Sequence, residues 1–181
     1  LQAMQNNLSG RYLLGNDIDA SATAGWNDGS GFAPIGSQAN AFTGVFDGLG
    51  HTVRQLYIYR PNEYDVGMFG YALGAALRNI GLEGGSITGK QFVGALVGSQ
   101  RAGSINNAYT TATVTGESNV GAMIGTQTGG RISDVHAEGS VTGLPDSYNV
   151  GVLVGSLYNG NISNAYSTGA GRGSLSVGGL V

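Results

Sequence analysis

Val93-Gly94-Ala95-Leu96-Val97-Gly98 returns as Val120-Gly121-Ala122-Met123-Ile124-Gly125 and again as Val150-Gly151-Val152-Leu153-Val154-Gly155. Val66-Gly67-Met68-Phe69-Gly70 is a shorter version upstream, and Val177-Gly178-Gly179-Leu180-Val181 opens another copy. Between the Val-Gly pairs the steps are 27, 27, 30 and 27 residues. The long step holds an insertion around Gly143-Leu144-Pro145-Asp146-Ser147, a turn-like composition expected to bulge outward without disturbing the rest. A fixed period of this size marks a stacked array of supersecondary units.

Two further column sets keep the same period. Leu77-Arg78-Asn79-Ile80, Ile105-Asn106-Asn107-Ala108, Ile132-Ser133-Asp134-Val135 and Ile162-Ser163-Asn164-Ala165 carry Asn or Asp at the third position, and Val53-Arg54-Gln55-Leu56 fits the slot one unit earlier with Gln. Ser86-Ile87-Thr88-Gly89, Thr113-Val114-Thr115-Gly116 and Ser140-Val141-Thr142-Gly143 close the unit, weakening to Ala170-Gly171-Arg172-Gly173. Each unit therefore holds three apolar-bearing segments of about five residues separated by Gly, Ser, Asn and Thr. Helices are excluded from the repeated units: 34 of 181 residues are Gly, and each costs about 0.8–1 kcal/mol in a helix interior relative to Ala. The chain lacks the regularly spaced leucines of a leucine-rich repeat, and a propeller blade needs about 40–45 residues. The fold class is all-β, a parallel β-helix of three short strands per coil of about 27 residues.

Coils stacked about 4.8 Å apart place like residues over like. Columns such as Ile105, Ile132, Ile162 and Val114, Val141 then fill the interior, and Gly serves left-handed or crowded corners. The column Gln55, Asn79, Asn107, Asp134, Asn164 reads as an internal corner ladder of amides that satisfies turn backbone groups.

Residues 1–41 depart from the period and form an N-terminal cap with the first strands. Leu1, Met4 and Leu8 lie at helical spacing, so a short helix is expected over the end of the stack. The coils follow at about 42–65, 66–92, 93–119, 120–149 and 150–176, with 177–181 beginning another. The chain reads as a fragment of a longer repetitive protein, with an open strand edge at Val181 fit for edge-to-edge self-association.

Charged residues make up 10% of the chain, against about 25% in an average protein, and the net charge is -3. That balance offers no footprint for nucleic acid, and no apolar run reaches the roughly 20 residues of a membrane span. Without cysteine there is neither a disulfide framework nor a thiolate metal site.

Tyr12-Leu13-Leu14-Gly15-Asn16-Asp17-Ile18-Asp19, Phe32-Ala33-Pro34-Ile35-Gly36 and Phe42-Thr43-Gly44-Val45-Phe46-Asp47-Gly48-Leu49-Gly50-His51-Thr52-Val53, followed by the Val-Gly-x-Leu-Val-Gly repeats, resemble the GLUG-motif segments of large filamentous-haemagglutinin-like bacterial surface adhesins. The resemblance covers nearly the whole chain. It implies a right-handed parallel β-helix, export across the outer membrane, commonly by two-partner secretion, a secreted or bacterial cell-surface location, and a role in attachment or biofilm. Such motifs also sit beside surface proteases, so they mark a scaffold.

Chemistry is sparse. Asp17 and Asp19, two apart on an extended segment, are the clearest acidic pair and would point to one face. His51 follows Asp47 across a Gly-rich turn and fits a pinning hydrogen bond. Neither an EF-hand spacing nor the nonapeptide calcium pattern is present, so no metal site and no cofactor is expected. Thr88, Thr115 and Thr142 form a thin threonine ladder that Arg172 interrupts. Carbohydrate binding has candidates, because sugars are held by aromatic faces beside neutral hydrogen-bonding groups. These are Tyr57, Tyr59, Arg60, Asn62 and Tyr64 in one short run, the column Tyr109, His136, Tyr166, and Trp26 in the cap. The alternative is that these rings stack on one another to stiffen the solenoid. The expected function is a non-catalytic β-helical adhesin module, with a polysaccharide or a host or bacterial surface receptor as partner; direct carbohydrate recognition is the second reading and a polysaccharide-lyase-like enzyme the third.

Overall fold

The three apolar segments of each unit become three parallel strands per coil in the computed structural model, which describes residues 1–181. The first sheet stacks Arg11–Leu13, Val45–Asp47, Ala76–Glu83, Ser104–Thr110, Arg131–Ala137 and Asn161–Ser167, with Ile18–Asp19 and Thr52–Arg54 pairing alongside. The second stacks Tyr57–Val66, Ser86–Val93, Thr113–Gly121, Val141–Gly151 and Gly171–Arg172, and Leu175–Gly178 also pairs with Val141–Gly151. The third stacks Phe69–Leu73, Val97–Arg101, Ile124–Thr128 and Val154–Tyr158. The result is a parallel β-solenoid of about five turns with about 28 residues per turn.

Register follows the period in the central coils. Leu77 pairs with Ile105, Ile105 with Ile132 and Ile132 with Ile162, while Ile87, Val114 and Val141 align on the second sheet. Ile105, Ile132, Val114 and Val141 are buried, and Ile162 is partly buried against the same core. Phe42, Phe46 and Phe69 close the lower end of that core, with ring centroids 4.7 and 5.5 Å apart around Phe69.

The expected N-terminal helix needs correcting. The helix anticipated at Leu1, Met4 and Leu8 is a five-residue 3-10 turn, Gln2–Asn6, held by Met4 N–H to Leu1 O and Asn7 N–H to Met4 O. Five residues are too few to offset α-helix nucleation, and burial of Met4 supplies the anchor instead. The insertion at Gly143–Ser147 bulges as expected, with Pro145 and Asp146 exposed and pairing resumed at Tyr148. It lies within Val141–Gly151 as a register shift against Thr113–Gly121, with Ser147 fully buried and accepting from Ser174 N–H at 3.0 Å. A bulge absorbs extra residues while the strand keeps its pairing on both sides.

Of the two roles expected of glycine, crowding outweighs the left-handed bend. Only ten of the 34 glycines have positive φ. The left-handed bends fall instead on columns rich in Asn and Asp: Asn79, Asn107, Asp134, Asn164 within the first sheet, and Asp65, Phe92, Asn119, Asn149, Ser176 just ahead of each Val-Gly pair. Asn and Asp bear this conformation best among residues with a side chain. The glycines of the repeated string answer to crowding. A Cβ on Gly94 would lie 2.5 Å from Val97 O, and one on Gly125 2.4 Å from the Val93 nitrogen. Two strands meet there backbone to backbone, leaving no room for a methyl group.

Candidate functional site

The amide ladder is real, but it is external. Asn107, Asp134 and Asn164 are exposed and Asn79 is half-buried. Asn107 Nδ2 donates to Asn79 Oδ1 at 2.9 Å, Asn79 Nδ2 to Asp47 Oδ1 at 2.9 Å, and Asn164 Nδ2 to Asp134 Oδ1 at 3.0 Å. Asn106 Nδ2 reaches Asp134 Oδ2 at 2.9 Å and joins the halves. Gln55 is not a member: Val53 pairs with Leu82, and Phe46 is the residue aligned with Leu77. The terminal acceptor is Asp47, whose side chain is nearly buried and also takes Arg78 Nε at 2.8 Å. Burial pushes its carboxyl up, but donation from Asn79, Leu49 N–H and Arg78 prevails and holds it below the usual range.

Tyr109, His136 and Tyr166 are register partners on the outer face of the first sheet. Their rings are stacked nearly parallel, with centroids 5.2 and 4.8 Å apart and interplanar angles of 4° and 3°. The column is thus both outward and self-stacked. Below it, Gly81 leaves space for the Tyr109 ring, since a Cβ there would come within 2.4 Å of Cζ. The phenol donates to Glu83 at 2.6 Å, Arg54 Nε donates to Glu83 at 2.8 Å, and Arg54 Nη2 donates to Asp17 at 3.0 Å. Burial first, then the Glu83 carboxylate, pushes the Tyr109 phenol up to about 12. The hydrogen bonds from Tyr109 and then Arg54 hold Glu83 below its ordinary value, while Glu83 foremost raises Arg54. Asp17 is lowered chiefly by Thr52 N–H and by His51, whose Nδ1 lies 3.1 Å away. His51 therefore partners Asp17, not Asp47.

Asp17 and Asp19 do not converge on one reacting centre. Asp17 is the single acid on the wall of a mainly apolar depression of about 370 Å³ at the cap end. Asp19 accepts from Ser21 N–H at 2.9 Å, which lowers its carboxyl, and it borders a separate apolar cavity of about 80 Å³ shared with Trp26. Trp26 is 43% exposed there.

The Tyr57–Tyr64 run divides in two. Tyr57 and Tyr59 point outward on either side of buried Ile58. Tyr64 lies past a register shift between Arg60 and Tyr64, where it is 51% exposed, with Lys90 Nζ 5.4 Å from its ring centroid. Arg60 donates to Phe32 O at 3.3 Å and to Glu63 at 2.8 Å. Arg60, Glu63, Tyr64 and Asp65 line one side of a recess of about 210 Å³, and the cap residues Ala33, Pro34, Gly36 and Ser37 line the other. Asp65 is buried, accepting from Ser99 Oγ and from Gln38 Nε2 at 2.9 Å; burial pushes its carboxyl up. The aromatic column lies on the first sheet and the Tyr57–Tyr64 run on the second, so the two candidate sets are not brought together.

The sequence reading missed a true internal pair, Gln100 and Gln127. They are register partners, fully buried, and their Nε2 atoms donate to Ala75 O and Gly129 O while both Oε1 atoms lack a partner. Their spacing of one period from each other was the available signal.

These features define an extended β-solenoid whose outward side chains are largely spent on one another. A family model for the GLUG motif matches residues 146–170. Halomucin of Haloquadratum walsbyi is 43% identical over 122 residues, which are 62% of this chain and 1% of that protein. A crystal structure from Bacteroides ovatus, of a protein provisionally named an immunoglobulin A1 protease, superposes with a TM-score of 0.61 at 18% identity, covering 99% of this chain and 81% of the other. The first two are likenesses in sequence, and the third is a likeness of fold alone.

Proposed function

We propose that this chain is a non-catalytic β-solenoid module of a secreted or cell-surface protein, a spacer that extends and stiffens its parent chain for attachment. One observation carries the reading: the outward groups best suited to chemistry are consumed between coils. The faces of Tyr109 and His136 are stacked on neighbours, leaving mostly ring edges to solvent, and Arg54 is held between the Asp17 and Glu83 carboxylates. Similarity to a short stretch of a far longer protein fits a repeated structural unit. Attachment or biofilm formation, and export by two-partner secretion, are the finer expectations of this reading.

A double variant, Tyr109→Ala with Tyr166→Ala, tests it by thermal melting and by mechanical unfolding of tandem modules. A lower melting temperature and a lower unfolding force support a stiffening column. An unchanged melt and force, accompanied by loss of binding to an immobilised polysaccharide, would make the column a receptor surface and overturn the spacer reading.

A further inference from the structure

The period also breaks beside the cap, where polar groups line a recess and keep part of their hydrogen-bonding capacity free. In the second sheet Arg60 pairs with Gly89 and Tyr64 with Gln91, so two extra residues bulge from Tyr57–Val66. The cap segment 33–37 runs beside that bulge, and the two enclose the recess of about 210 Å³. Bulges of this kind re-aim side chains and are frequent beside binding sites. Gln38 and Ser99 both donate to Asp65 and tie the cap segment, the bulged strand and the third sheet together, so the walls are preformed.

The lining has a definite chemistry. Tyr64 supplies a half-exposed aromatic surface. The Arg60 side chain is largely buried and its guanidinium is pinned by Phe32 O and Glu63, so two of its five N–H groups are used and the fork is oriented before any ligand arrives. Glu63, at the rim, offers acceptor oxygens. An anionic ligand would meet Glu63 and Asp65, and a cationic one would meet Arg60; a neutral molecule with adjacent hydroxyls satisfies both an N–H fork and a carboxylate. The volume lies below the roughly 300 Å³ at which sites for drug-sized ligands begin, which leaves space for one sugar ring.

We infer that this recess is a binding subsite for a single neutral hexose unit of a polysaccharide, with Tyr64 as the stacking surface and Arg60 and Glu63 as the hydroxyl-binding pair. The site is independent of the spacer role and lies on a different sheet from the Tyr109 column.

Saturation-transfer NMR of the whole chain with the methyl glycosides of glucose, galactose, mannose, N-acetylglucosamine and glucuronic acid tests the assignment. At least one neutral glycoside should give saturable transfer, weakened tenfold or more in Tyr64→Ala and in Glu63→Gln and unchanged in Tyr166→Ala. Melting curves identify any variant that loses the fold, and exposed Glu63→Gln remains decisive if Tyr64→Ala does so. No saturable signal with any neutral glycoside, a signal indifferent to both substitutions, or stronger binding of the glucuronide would overturn the proposal.

Discussion

Asn107 shows how a single residue sets both geometry and exposure. Strict alternation after Ile105 would send residue 107 inward, but its φ of 50° turns the strand, so that Asn106 and Asn107 both face outward and Ala108 returns to the core. Asn107→Gly should lose only the hydrogen bond to Asn79, whereas Asn107→Val adds a left-handed penalty of about 1–2 kcal/mol, a gap readable from urea melts. Tyr109 should resist ionisation until about pH 12 in a near-ultraviolet titration, and Glu83→Gln should bring that transition down by removing the carboxylate while leaving burial in place. Asp47 and Asp65 act in opposite senses. Asp47 is lowered in the folded state, so its stabilisation is present above the unfolded value near 3.8 and is lost as pH falls through the folded one; the penalty of Asp47→Asn should shrink in acid. Asp65 is raised, so the folded state holds its proton more tightly and stability falls as pH climbs above about 3.8; Asp65→Asn should gain on the parent protein over that rise. Parallel melts of both variants against pH check the signs.

At the scale of the strand, the interior columns are the cooperative unit. Ile132 is fully buried between Ile105 and Ile162, and Ile132→Asp places an unpaired charge in that column, so the sharp unfolding transition should vanish. Retention of a sharp melt would refute the register. Gly94→Ala should cost about 1–3 kcal/mol although the site is not left-handed, because the new methyl meets Val97 O and the Gly125 nitrogen. The bulged strands mark the reach of a pattern-based reading. Leu77, Ile105, Ile132 and Ile162 stack as their spacing implied, but the segment that continues this column below is Val45–Asp47, not the one bearing Gln55. From Phe46 to its partner Leu77 the chain takes 31 residues, and no fixed step near 27 finds that pairing.

For the molecule as a whole, each coil contacts chiefly the coils above and below, so stability should add nearly linearly with coil number. Inserting a second copy of residues 93–119 in register should lengthen the particle by about 4.8 Å in small-angle scattering and raise the melting midpoint. A 20-residue insertion at the same point should destabilise it. No group of three His, Cys, Asp or Glu is placed to hold a metal ion, and a chelator should leave the melt unchanged.

The amino-acid sequence alone determined the period, the three parallel strands per coil, the apolar columns and the alignment of Tyr109, His136 and Tyr166. It could do so because in a solenoid each residue's spatial neighbour lies one period away, so repetition along the chain is itself a record of contacts. Tertiary structure decided the rest. Left-handed bends turned the amide ladder outward and freed glycine for close backbone approach. The links from Asp17 through Arg54 and Glu83 to Tyr109 span 26 to 37 residues each and join unlike residues, so they leave no repeated trace. The recess beside Tyr64 arises where cap and bulge interrupt the stack, and only the packing of non-repeating segments brings its walls together.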